Sequence, residues 1–374
     1  MLDESFLDTP DALARADARG LLLAAAESGA RVRNAARAAA EAGIGTLRPD
    51  GRPRSLLLAG PGPSTYCAAD VLDALLSGSV QIRPVSPTGA DADPATLRWA
   101  LPGWAGPLDL LVVATGWGRE PGLEALVEQA YRRGMSVVAV APRDSPVTET
   151  VGTTHGMTLP MIPLPAVEEP GSEPEAPGTL WALLTPLLAL TDRLGLLSAP
   201  AKALDELADR LDSVAERCGP AIETYTNPAK TLAAELSDSL PLLWSTGPLS
   251  TATGRHLAAT LAAVAGRPAL AAPLPHALQA HGPLLAGQQA EDPEDFFRDR
   301  VEEPEPLLPR VVLMHDGEPA GASPAPAARA LAHGRGTPIS ELEPAEGTPL
   351  QIAAELIALA DFTAVYLALA SSDR

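Results

Sequence analysis

The chain has 374 residues, enough for two ordinary domains, and 46% are apolar while only 3% are aromatic, so Leu, Val and Ala must fill its cores. A formal charge of −20 argues against a nucleic-acid partner, whose phosphates would be repelled across most of the surface, and equally against an anionic membrane surface. A small anionic ligand stays compatible with that charge, because backbone N–H groups at a helix start hold an anion without a basic protein.

Cys67 and Cys218 are the only cysteines; their separation fits no zinc-site spacing, and they read as inert thiols of a reducing compartment. The acidic start, interrupted by Pro10, is unlike a signal peptide, and no run of about 18 apolar residues is expected to span a membrane, so a cytoplasmic protein is expected. Of 27 basic residues only Lys202 and Lys230 are lysines; elsewhere the chain uses arginine.

Residues 1–45 are expected to form an N-terminal helical segment, alanine-rich from Asp11 to Ala42 and stopped at Gly43. A first α/β domain is expected over 46–165. Ser55–Gly60, Val80–Val85, Leu108–Thr115 and Met135–Ala141 read as strands, with helices over Tyr66–Leu76 and Pro121–Gly134. The acidic, Pro/Gly-rich stretch Val167–Gly178 cannot bury a core, so 166–178 is expected to be a linker. Connecting helices over 179–235 include Thr179–Gly195 and Ala201–Cys218. A second α/β domain follows over 236–374. Its strands are expected at Leu240–Ser245, Arg267–Ala272, Arg310–His315 and Thr337–Leu342, and its helices at Thr251–Ala265, Ala325–His333 and Pro349–Ala370. The alternation predicts two doubly wound parallel sheets with flanking helices, related by an internal duplication.

Two turns of the first domain are candidate binding elements. Gly60, Gly62, Ser64 and Thr65 lie between a strand and a helix, where a glycine turn lets the backbone approach an anion. The same residues would also serve simply as a turn and a helix cap. Thr115–Gly116–Trp117–Gly118–Arg119–Glu120 follows the Leu108–Thr115 strand, and in such sheets the loops at the carboxyl ends of adjacent strands converge on one crevice. A nicotinamide dinucleotide is excluded: Thr65 stands where a third glycine or alanine belongs, and the second strand ends Pro84–Val85–Ser86–Pro87 with no acidic residue for a ribose.

With these turns the chain resembles the sugar isomerase (SIS) domain, which holds a phosphate by Ser and Thr in two βα turns. Asn227–Pro228–Ala229–Lys230, Trp244–Ser245–Thr246–Gly247, Leu274–Pro275 and Asp361–Phe362–Thr363–Ala364–Val365–Tyr366–Leu367–Ala368 are similar to the bifunctional phosphoglucose/phosphomannose isomerase family. The resemblance spans about Arg54 to Ala370. It implies two SIS-type domains, a homodimer, no metal and no cofactor, and aldose–ketose isomerisation of hexose 6-phosphates.

Carried over residue by residue, Gly62, Ser64, Thr65, Thr115 and Gly116 would hold the phosphate; Gly118 falls where the family has a threonine. Arg255 matches an arginine near the sugar. His281 stands where the family has its catalytic glutamate, and imidazole is a competent base near neutral pH. The family's second catalytic histidine and its late lysine have no match: Asp316–Ala332 contains no histidine, and no lysine follows Lys230. The alternative is a catalytically degenerate sugar-phosphate-binding or regulatory protein. Lys230 reads either as a ligand contact or as part of a helix start capped by Asn227. His155, His256, His315 and His333 have no evident partner, His276 reads as a solvated or capping histidine, and Asp292–Glu305 reads as a solvated face with Phe296 and Phe297 packed inward.

Overall fold

The short apolar runs of the sequence form parallel strands, and the alanine- and leucine-rich stretches between them form helices. The structure, a computed structural model, describes residues 4–48, 51–89, 93–162, 175–286, 308–317 and 323–371. The acidic stretch Asp292–Glu305 lies outside them. The chain divides into two compact units, Arg19–Ala215 and, together, Met1–Ala18 with Glu216–Arg374. The helical segment expected over 1–45 is thereby shared between the units.

Two short helices, α1 (Glu4–Leu7) and α2 (Pro10–Ala16), open the chain and belong to the second unit. The first unit begins with α3 (Leu21–Ala26) and α4 (Ser28–Glu41). The single helix expected over Asp11–Ala42 is thus broken, at Asp17–Gly20, where Gly20 takes φ 65°, and again at Glu27. There follow β1 (Ser55–Ala59), α5 (Pro63–Leu76), β2 (Gln81–Val85), β3 (Leu110–Ala114), α6 (Pro121–Arg132) and β4 (Ser136–Ala141). Next come α7 (Pro146–Thr153), β5 (Met157–Pro160), α8 (Thr179–Arg193) and α9 (Ala201–Arg217). The strands pair in parallel in the order β2-β1-β3-β4-β5. The sequence did not reveal β5: its four residues end in proline, which an edge strand tolerates.

Leu56–Ala59, Leu111–Ala114 and Ala139–Ala141 are completely shielded from solvent, as expected of strands covered by helices on both faces. One face packs on Leu123, Leu126, Val127 and Val151 from α6 and α7.

The second unit continues with α10 (Pro228–Leu236), β6 (Ser239–Ser245), α11 (Pro248–Ala265), β7 (Leu270–Pro273), α12 (His276–Ala280) and α13 (Gly282–Ala286). It ends with β8 (Leu308–Met314), α14 (Ala325–Gly334), β9 (Ile339–Leu342) and α15 (Pro349–Ser371). Its sheet runs β7-β6-β8-β9, all parallel. Strand by strand, this is the order of the first four strands of the other sheet, so two doubly wound domains repeat one topology.

The expectation that no segment is long and apolar enough to span a membrane is corrected by α15, which meets both criteria. It is nevertheless a core element of its unit, since 89% of its most apolar window is buried. Its acidic side chains are partnered as well: Asp361 Oδ1 meets His256 Nε2 at 2.6 Å and Glu355 Oε1 accepts from Arg217 at 2.7 Å.

Candidate functional site: two anion turns

In each sheet the order reverses beside the first strand, leaving a crevice between the loops that follow β1 and β3, and β6 and β8. The β1 turn is drawn against β3 so closely that a side chain at Gly60 would collide with the Ala114 carbonyl. Gly62, at φ 77°, precedes Pro63 at the first position of α5, so the amides of the first helical turn are left without intrahelical partners. One of them is already engaged: Ser64 N donates to Glu175 Oε2 at 2.9 Å. The Glu175 carboxylate lies directly over Gly62, where any Cβ would strike it.

The predicted phosphate hydroxyls are mostly committed within the protein. Thr65 Oγ1 donates to the Pro61 carbonyl at 3.0 Å. Thr115 Oγ1 donates to Glu120 Oε1 at 2.6 Å and accepts from the amides of Trp117 at 3.0 Å and Gly118 at 3.1 Å. A hydroxyl has one proton and two lone pairs, so Thr115 has nothing left to offer a ligand, and its expected role as a phosphate donor is corrected on that ground. Glu120, missed by the sequence reading, is completely buried, and its Oε2 has no hydrogen-bond partner among the described residues. That burial pushes its carboxyl above the usual range, against the hydrogen bond from Thr115. Ser64 is buried, Gly62 lies under the Glu175 carboxylate, and Gly116 lies beside Met161.

The second unit repeats the arrangement with different residues. Gly247 precedes Pro248 at the start of α11, and the amides of Leu249 and Ser250 donate to Asp316 Oδ2 at 2.7 and 3.2 Å. As at Gly62, a Cβ on Gly247 would strike that carboxylate. Asp316 is the second residue past the end of β8, the place Gly116 holds past the end of β3.

The remaining predicted site residues do not gather here. Lys230 is fully buried on α10, its Nζ donating to the carbonyls of Leu7 at 2.6 Å, Pro220 at 2.8 Å and Ile222 at 2.7 Å. With Asn227 Oδ1 accepting from the amides of Ala229 and Lys230, this motif ties the start of α10 to α1, and the ligand-contact reading of Lys230 falls. Desolvation holds its pKa below the usual lysine value. Arg255 is exposed on α11.

His281 is buried, and its Nδ1 accepts a hydrogen bond from Trp244 Nε1 at 2.9 Å. An indole N–H only donates, so the neutral ring must carry its proton on Nε2, leaving no lone pair for proton abstraction. Desolvation also lowers its pKa. The expected catalytic base is therefore corrected to a locked structural histidine.

His315, Glu341 and Glu343 bring potential ligand atoms within 4.8 Å of one another. Arg329 already supplies the cation: its Nε and Nη2 meet the two oxygens of Glu341 at 2.7 and 2.5 Å, so the cluster is an ion-pair network.

Residues 225–372 match the family model of the bacterial phospho-glucose isomerase C-terminal SIS domain. A protein of Silicibacter pomeroyi DSS-3 assigned as a phosphosugar isomerase superposes with a TM-score of 0.60 at 17% identity, covering 94% of this chain and 98% of that one. The C-terminal domain of glucosamine-fructose-6-phosphate aminotransferase from Francisella tularensis gives 0.56 at 13% identity, covering 94% and 96%. Tagatose-6-phosphate ketose/aldose isomerase from Escherichia coli gives 0.54 at 13% identity, covering 94% and 91%. No curated protein sequence matches the chain. At such identities the likeness of the structures establishes the fold, two SIS-type domains in one chain, and residues 225–372 are similar to the bacterial phosphoglucose isomerase family of SIS proteins.

Proposed function

We propose that the chain binds a hexose 6-phosphate at the amino end of α5, as a sugar-phosphate-binding member of this family. One observation carries the reading: the turn at Gly62–Ser64 already holds an anionic oxygen through a backbone amide, in the carboxylate of Glu175. A phosphate monoester offers the same kind of acceptor with more charge and a third oxygen, and the helix start favours it further. The neighbouring structures named for tagatose 6-phosphate and fructose 6-phosphate chemistry support a phosphosugar as the ligand class.

Isomerisation of fructose 6-phosphate to glucose or mannose 6-phosphate is the second reading, favoured by the phospho-glucose isomerase match over residues 225–372. Proton transfer between C1 and C2 needs a base with a free lone pair, and His281 does not offer one. Thermal-shift titration with fructose, glucose and mannose 6-phosphates, followed by coupled assays on each hit, separates the two. Stabilisation without turnover is the expected result. Turnover would establish the isomerase, and no stabilisation by any of the three would remove both readings.

A further inference from the structure

The amino-terminal anion turn is occupied by the protein's own chain. Glu175 lies in the acidic, Pro/Gly-rich stretch just before α8, 111 residues after Ser64. Its carboxylate accepts from Ser64 N and sits over Gly62, where absence of a side chain leaves room for an anion. The carboxylate and an incoming phosphate oxygen would require the same amide and the same space, and two anions at that separation repel. We propose that Glu175 is a tethered pseudo-ligand that competes with phosphosugars for the α5 turn, so that the free protein rests in a self-occupied state. The proposal rests on the reading of this turn as the phosphosugar site.

The second unit shows why Glu175 is a competitor and not simply a cap. Asp316 closes the α11 turn from the loop directly after β8, within the same crevice, through two amides. Gly116 occupies the corresponding place after β3 and has no carboxylate to offer. At this position the first unit therefore lacks the carboxylate of the second, and its turn is filled from a segment outside the βαβ core, by Glu175 on the Ser64 amide.

If about nine-tenths of the free protein is self-occupied, removing the carboxylate should tighten phosphate binding about tenfold, since apparent affinity scales with the competent fraction. The test is calorimetric titration of the full chain and of Glu175→Gln and Glu175→Ala with fructose 6-phosphate and with inorganic phosphate, at fixed ionic strength. Both variants are expected to bind both probes at least fivefold tighter than the parent. Equal or weaker binding by the variants, with the parent binding measurably, would overturn the pseudo-ligand and leave the phosphosugar site standing. Absence of binding in all three proteins would overturn the site itself, and the pseudo-ligand with it. The thermal midpoint of each variant without ligand, with the added stabilisation by saturating phosphate, separates a folding defect from a change in affinity.

Discussion

The two SIS-type domains start from the same strand order and the same Gly-x-helix turn, and each places a carboxylate on that turn, yet they recruit it differently. In the second, Asp316 sits two residues beyond β8 and engages two amides of α11. In the first, Gly116 occupies that place beyond β3, and Glu175 arrives from the stretch before α8 to engage one amide of α5. A closure built into the loop beside the switch point is part of the domain's framework. A closure delivered from a residue 111 positions away in the chain lies outside that framework. The duplicated turn is thus a structural cap in one domain and an exchangeable contact in the other.

The largest effect expected from breaking this contrast is on stability. Asp316→Ala strips a charged acceptor from two amides at the start of an 18-residue helix, which costs about 2 kcal/mol and lowers the thermal midpoint by about 4–8 °C. Glu175→Ala removes the hydrogen bond to the Ser64 amide, for a loss of about 1 kcal/mol. Differential scanning calorimetry of both variants checks this ordering. Equal losses would erase the distinction between the two closures.

A grafting experiment sharpens the contrast at smaller cost. Gly116→Asp installs in the first domain the carboxylate that the second carries at the matching position. A Cβ at Gly116 meets only Met161 Cε at 3.6 Å, an ordinary contact, so the substitution fits. Made together with Glu175→Ala, it is expected to weaken fructose 6-phosphate binding about tenfold relative to Glu175→Ala alone, because the new carboxylate repels the phosphate at short range. Unchanged affinity in a titration of the double variant would mean that the two loops are not equivalent.

These contrasts were only partly legible in the amino-acid sequence. Buried strands such as Leu56–Ala59 and Val311–Met314 announce themselves as continuous apolar runs, and the family match follows from local motifs that survive in the chain. The glycines at 60 and 62 also mark the turn directly, because their role is a backbone one. What spacing cannot show is how a hydroxyl or an imidazole spends its hydrogen bonds. Thr115 looks like a ligand until Glu120 is seen taking its proton, and His281 looks like a base until Trp244 is seen claiming its lone pair. Both partners are brought in by folding: Glu120 by the curl of its loop, Trp244 from 37 residues away. Glu175 gave no signal at all, since nothing in an acidic linker sets one glutamate apart from its neighbours.

The smallest expected effect is a difference in how the domains respond to acid. The first buries a carboxyl, Glu120, whose pKa is raised by desolvation; the second buries an imidazole, His281, whose pKa is lowered by desolvation. A carboxyl raised in the folded state binds more protons there than in the unfolded chain. The stability it contributes is therefore full below the ordinary glutamate value of 4.5 and is lost as pH rises through the folded pKa. An imidazole lowered in the folded state binds fewer protons, so its contribution is full above the ordinary value of 6.5 and is lost as pH falls through the folded pKa. Between pH 4.5 and 6.5 the two groups therefore pull in opposite directions. Glu120→Gln, which keeps an oxygen for Thr115, should gain stability relative to the parent as pH rises across that window. His281→Gln, which keeps an acceptor for Trp244, should gain relative to the parent as pH falls across it. Denaturant midpoints of parent and variants at several pH values give the two difference curves. Opposite slopes are required, because burial is the first cause of both shifts and burial penalises the charged form whatever its sign.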